Sequence, residues 1–204
     1  MAANPKRRYT LEEYFELERN SEERFEFWNG EVFCMSGASA THNRILTNFI
    51  FRLRSKLQGR NCEVFSSYMR VKVPSAPTYR YPDLTALCGT AEFEKIGGID
   101  ALTNPTLIVE ILSSSTESYD RGEKFAHYKS IPSFGEYLLI AQYRPFVTQF
   151  IKHDERTWLQ REYDVLDAEF TLSSLVCELS LREIYENVEF DLSQAPRDER
   201  MSAE

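Results

Sequence analysis

Asp83, Glu110 and Lys124 are the side chains whose types and spacing could do chemistry. Asp83 follows Pro82 at the head of the run Leu84-Thr85-Ala86-Leu87-Cys88, which reads as a short strand. Glu110 closes the run Leu107-Ile108-Val109, inside a nearly continuous apolar strand from Thr106 to Leu112 of the kind buried on both faces. A carboxylate in such a run is costly unless it is paired or bound to a cation. Asp83 and Glu110 can offset each other's cost by sharing one hard ion. Mg²⁺ takes one or two carboxylates, together with waters and phosphate oxygens. This requires the two acids to lie on neighbouring strands and point to the same face. A lysine beside them would orient the attacking water or stabilise charge on a phosphorus under attack. Lys124 also has a plainer reading, an i,i+4 surface pair with Asp120 worth a few tenths of a kcal/mol.

The elements that must position these groups follow from pattern. Thr10 and Glu13 form a capping-box signature ahead of an apolar face of Leu11, Tyr14, Phe15 and Leu17. Arg24 to Phe33 reads as a hairpin turning at Asn29-Gly30, with Glu26 on the face opposite Phe25 and Phe27. Thr41 to Gln58 is the clearest helix, with Ile45, Leu46, Phe49, Ile50, Leu53 and Leu57 at helical spacing, Thr41 as cap and Gly59 as stop. Its other face carries Arg44, Arg52, Arg54 and Lys56, either a solvated face or a phosphate-facing one. His42 reads as a packing or capping residue, because no second histidine stands at metal-ligand spacing. A strand from Glu63 to Val73 changes phase near Ser66-Ser67 and stops at Pro74 and Pro77. Residues 89–105 read as a surface connection. Arg80 either touches a phosphate or neutralises nearby acids. Asp120 opens a helix with Glu123 three residues on, and Pro132 ends it. Glu136 to Ala141 is a buried central strand, with Gln142 at its end. Val147–Lys152 and Thr157–Tyr163 alternate as an antiparallel hairpin, and Leu181 to Tyr185 is a short helix after a Ser-rich turn.

Four segments in order carry a family resemblance: Phe25-Glu26-Phe27-Trp28-Asn29-Gly30-Glu31, Arg80-Tyr81-Pro82-Asp83, Leu107-Ile108-Val109-Glu110-Ile111-Leu112-Ser113, and Tyr119-Asp120-Arg121-Gly122-Glu123-Lys124-Phe125-Ala126-His127-Tyr128. With Pro132-Ser133 and Glu136 to Ile140 they make the chain resemble the PD-(D/E)XK nuclease superfamily and, more closely, the bacterial Uma family of restriction-endonuclease-like proteins. The resemblance covers residues 9 to 188. It implies an α/β fold: a restriction-endonuclease-like mixed sheet flanked by helices, with an added N-terminal helix and hairpin and a C-terminal hairpin. It also implies a Mg²⁺- or Mn²⁺-dependent DNA endonuclease. Asp83 and Glu110 would hold the metal, Lys124 would assist the water, and Glu26 would be a further ligand or base. Without the resemblance, Glu26 also reads as a solvated strand acid. In-line attack on phosphorus would leave a 5′-phosphate and a 3′-hydroxyl. The chain departs from the superfamily at Leu112, where the lysine usually lies. The Uma pattern moves that lysine to the following helix, where Lys124 stands. Ser114 replaces a frequent proline, and Asn29-Gly30 a frequent Asp-Gly.

At 204 residues, 42% hydrophobic and 27% charged, the chain is expected to fold as one domain over residues 1–192 with a polar, disordered tail at 193–204. The N-terminus has positive charge but no apolar core of a signal peptide, and no stretch is long and apolar enough for a membrane span. Cys34, Cys62, Cys88 and Cys177 form no CxxC pair and read as ordinary buried thiols of a reduced cytoplasmic protein. A net charge of −8 excludes a generic nucleic-acid coat, so DNA would have to meet a local basic surface. The same charge, with Leu112, feeds the alternative: a catalytically inactive nuclease-fold module that binds nucleic acid or protein. Neither GxxxxGK[ST] nor GxGxxG occurs, which excludes a P-loop or Rossmann site. Cutting both strands usually needs two active sites, so a homodimer is expected.

Overall fold

The computed structural model describes residues 7–28, 30–34, 37–75, 78–96, 98–114 and 116–191. In chain order its elements are α1 (Leu11–Asn20), β1 (Phe25–Trp28), β2 (Glu31–Cys34), α2 (Ala40–Lys56), β3 (Cys62–Ser66), β4 (Arg70–Val73), β5 (Thr78–Arg80), β6 (Leu84–Cys88), β7 (Phe93–Ile96), β8 (Ile99–Leu102) and β9 (Leu107–Leu112). Then come α3 (Glu117–Tyr119), a single π turn at Asp120–Lys124, α4 (Phe125–Tyr128), β10 (Glu136–Ala141), β11 (Val147–Lys152), β12 (Trp158–Tyr163), β13 (Glu169–Leu172), β14 (Cys177–Ser180) and α5 (Leu181–Ile184). The fold is a mixed α/β one, as the sequence predicts.

The sheet that matters for the site runs β12-β11-β10-β9-β6-β3. β9 and β10 are parallel at its centre, joined by a crossover through α3, the π turn and α4. Every residue of β9 and of β10 is buried. Period-2 alternation sends them to two cores. Leu107, Val109 and Ile111 pack with Ile45, Phe49 and Leu53 of α2. Ile108 and Leu112 pack on the other face with Phe125 and Tyr128 of α4 and Val71 and Val73 of β4. Burying each such aliphatic or aromatic side chain is worth about 1.5–3 kcal/mol, so the two faces together fix the strand register around Glu110.

A second sheet, β2-β1-β5-β4-β8-β7, leans α1 against its aromatic face through Tyr14, Phe27 and Tyr79. The Thr10–Glu13 capping box is present. Glu18 of α1 is fully buried, where it accepts from Arg70 Nη1 at 2.9 Å and from the Tyr81 hydroxyl at 3.0 Å.

Several expectations are corrected. Ser39, not Thr41, caps α2: its hydroxyl accepts from His42 N at 3.0 Å. The connection 89–105 contains the β7–β8 hairpin, and a further hairpin, β13–β14, precedes α5. Asp120 does not open a helix. The helical segment starts three residues earlier, and Asp120 is buried within it. Cys62 and Cys88 are register partners across β3 and β6 and form a disulfide. Cys34 is exposed and free, and Cys177 is free and half-buried, so the expectation of four ordinary buried thiols does not hold. Asn29, Pro77, Gly97 and the tail at 193–204 lie outside the described residues.

Candidate active site

β6 and β9 are antiparallel, with Leu84 opposite Val109, Thr85 opposite Ile108 and Ala86 opposite Leu107. Asp83 immediately precedes β6, and Glu110 follows Val109, the partner of Leu84. Both line a cleft of about 880 Å³ that also takes in Glu26, Asp120, Lys124 and His42. The four site residues expected from sequence all line this cleft, brought there by β1, the residue preceding β6, β9 and the π turn.

Lys124 Nζ donates to Glu110 Oε1 at 2.8 Å and to Asp120 Oδ1 at 3.3 Å, and lies 4.0 Å from Glu26 Oε1. Its side chain is 9% exposed. The Asp120 pair is thus real but buried, and it is one edge of a larger cluster. A π turn inserts one residue into a helical ladder and recurs at functional sites. Here it keeps both Asp120 and Lys124 buried against the strands while Arg121 and Glu117 pair outside them.

Each carboxylate divides its oxygens. Glu110 Oε1 accepts from Lys124 and from the Tyr128 hydroxyl, the latter at 2.9 Å. Asp83 Oδ2 accepts from Ile111 N at 2.7 Å and lies 3.1 Å from His42 Nε2. Among the described residues no donor reaches Glu110 Oε2 or Asp83 Oδ1. Glu26 differs, since Oε2 takes Arg80 Nη1 at 3.0 Å and Oε1 takes Tyr81 N at 3.1 Å. Arg80, buried and also bonded to the Tyr119 hydroxyl, therefore neutralises Glu26.

Burial pushes the Glu110 carboxyl up to about 8, with Asp120 and Asp83 adding to the rise and Lys124 opposing it. Burial likewise raises Asp120 against the pull of Lys124. Burial works to lower Lys124, but Glu110, Glu26 and Asp120 together outweigh it and hold the ammonium well above its ordinary value. The lysine stays charged, and the acids crowd around it.

Four acids, Glu26, Asp83, Glu110 and Asp120, face two fixed cations, Arg80 and Lys124. An uncompensated negative charge in a half-enclosed cleft suits a divalent cation. No group of three or more His, Cys, Asp or Glu among the described residues is placed to hold a metal.

Residues 11–183 match the Uma2 family, described as "Putative restriction endonuclease". The chain belongs to the Uma2 family. It is 37% identical over 164 residues to the uncharacterized protein sll1609 of Synechocystis, covering 80% of this chain and 92% of that protein. It is 30% identical over 179 residues to slr1290 of the same organism, covering 88% and 92%. The crystal structure of a "putative nuclease belonging to DUF820" from Anabaena variabilis superposes with a TM-score of 0.70 over 87% of this chain and 97% of that one, at 18% identity.

Sequence reasoning missed His42 and the π turn. His42 had a readable signal. It lies in phase with Leu46, Phe49 and Leu53 at i+4, i+7 and i+11, on the buried stripe of α2, where a polar residue needs a partner. The basic residues of α2 do not serve the cleft. Arg52 and Lys56 pair with Glu186 and Glu183, and neither Arg44 nor Arg54 lines it.

Proposed function

We propose that the chain is a Mg²⁺-dependent DNA endonuclease. The observation that carries the reading is the division of oxygens. Asp83 and Glu110 line the same cleft, each with one oxygen engaged by protein donors and the other without one among the described residues. Asp83 and Glu110 would hold the ion. When bound, the ion supplies charge neutralisation at the phosphate and a more acidic water.

The chain's own residues do the rest. Tyr128 and Lys124 fix the Glu110 carboxylate from one side. Lys124 remains protonated and places its charge where negative charge develops on the phosphate. Glu26, with both oxygens engaged, acts as the partner that holds Arg80 and Lys124 in place rather than as a ligand. A homodimer would present one such site to each strand of a duplex.

Single-turnover cleavage of plasmid and oligonucleotide DNA with Mg²⁺ or Mn²⁺ tests this, comparing wild type with Glu110→Gln. The expected result is metal-dependent cleavage by wild type alone. Equal rates in the two proteins would overturn it. The alternative is a nuclease-fold module that binds without cutting. What favours it is that Arg52 and Lys56 pair with acids of the C-terminal region instead of facing the cleft. DNA binding with no cleavage under any of these conditions would select it.

A further inference from the structure

We propose that His42 is the positioning residue of the site: it fixes the Asp83 carboxylate so that Oδ1 faces Glu110. The inference rests on the metal reading above and assigns His42 a role within it.

Three observations place the imidazole there. The first turn of α2 is fastened to the ends of the two central strands. Ser39 Oγ accepts from His42 N at 3.0 Å and donates to Gln142 Oε1 at 2.7 Å, while Gln142 Nε2 donates to Leu112 O at 3.0 Å. β9 ends at Leu112 and β10 just before Gln142, so the backbone of residue 42 is set by the strand that carries Glu110. Next, His42 lies on the buried stripe of α2 with its side chain only 13% exposed. Lastly, Nε2 stands 3.1 Å from Asp83 Oδ2, the same oxygen that accepts from Ile111 N. Nε2 is the ring nitrogen that faces the Asp83 carboxylate. Nδ1 is buried and has no hydrogen-bond partner among the described residues, so the Asp83 contact is the polar one that accounts for a histidine here.

Two contacts on one oxygen do what one cannot. Asp83 heads its strand, and a single hydrogen bond from Ile111 N leaves its carboxylate free to pivot about that bond. The second contact, the imidazole from a different element, removes the pivot. Hydrogen-bond partners behind metal-ligating side chains typically contribute about 10–100-fold in metal affinity.

The experiment is calorimetry of Mn²⁺ binding to the full chain for wild type, Asp83→Asn, His42→Ala, His42→Gln and His42→Asn, with thermal melting of each protein. Gln places its amide nitrogen where Nε2 of histidine stands, whereas Asn places it where Nδ1 stands. Asp83→Asn is expected to lose Mn²⁺ binding. His42→Ala and His42→Asn are expected to weaken it by about 10–100-fold, and His42→Gln to restore it. A residue that only packs would not separate Gln from Asn in Mn²⁺ affinity at matched melting temperature. That comparison stands even if the alanine variant does not fold. Wild-type affinity in His42→Asn, with Asp83→Asn still inactive in binding, would overturn the His42 role alone. No Mn²⁺ binding by wild type, or unchanged binding by Asp83→Asn, would remove the metal reading and the His42 role with it.

Discussion

Lys124 Nζ sits 2.8 Å from Glu110 Oε1, although the two residues belong to different elements and a chain bend separates them. Parallel pairing of β9 with β10 demands a crossover on one face of the sheet. The π turn of that crossover is where Lys124 meets the strand acid. The ammonium beside Glu110 thus comes from the crossover rather than from β9 itself, where Leu112 packs into the core instead.

Removing that ammonium should slow chemistry without removing the ion site. Lys124→Ala is expected to lose about 10²–10³ in single-turnover rate, the effect of deleting one preorganised donor. Lys124→Arg should not restore it, since a planar fork does not substitute for a compact ammonium held between Glu110 and Asp120. Cleavage rates at saturating Mg²⁺ check this. Equal rates in wild type and Lys124→Ala would reduce the lysine to a structural counter-charge.

How much of this was legible beforehand depends on the range of the interaction. Glu110 stood out because a carboxylate in the run Leu107–Leu112 has no cheap place to go, and the structure buries it at 4% exposure. The Asp120–Lys124 spacing was also visible, being local. What spacing cannot give is register. That Cys62 meets Cys88 follows from the pairing of β3 with β6, and that Asp83 and Glu110 line one cleft follows from β6 lying beside β9. The π turn was hidden because nothing in Asp-Arg-Gly-Glu-Lys distinguishes it from an α-helical turn. The β7–β8 hairpin was missed because its strands are only four residues long and carry Glu94, Lys95 and Asp100, so its charged positions resembled a solvated loop.

Arg80 offers a test of structure against phosphate binding. Its guanidinium side chain is 1% exposed and paired to Glu26, itself 12% exposed. Taking one partner from a buried pair costs about 3–5 kcal/mol because the other charge is left uncompensated. Arg80→Ala should therefore lower urea-unfolding stability by about that amount. The double variant Arg80→Met with Glu26→Gln, which removes both charges, should recover part of it. A loss of DNA affinity with no loss of stability would instead make Arg80 a phosphate contact.

The Cys62–Cys88 bond closes a loop with a sequence separation of 26 residues. For a loop of this length, chain entropy gives a stabilisation of about 3–4 kcal/mol. Wild-type protein under oxidising conditions should unfold at higher urea than the same protein with reductant, and Cys62→Ser with Cys88→Ser should match the reduced form. Coincident transitions in all three would mean that the bond adds nothing to stability.

The raised Glu110 carboxyl sets the pH behaviour of the metal-free protein. Its folded value of about 8 exceeds the ordinary 4.5. Between those values the native state holds a proton that the unfolded chain has released, so the slope of unfolding free energy with pH is negative. Glu110's contribution is full below about 4.5 and is lost as pH rises through about 8. Asp120, also raised, acts in the same direction. Metal-free wild type in a chelator should therefore become less stable across this range, and Glu110→Gln, which has no proton to lose, should flatten the fall. The same proton competes with the cation. Mn²⁺ affinity should rise with pH until Glu110 is ionised, with proton release on binding seen as a buffer-dependent heat in calorimetry. A metal-free stability that rises over the interval, or a Glu110→Gln profile parallel to wild type, would place the raised value on another group.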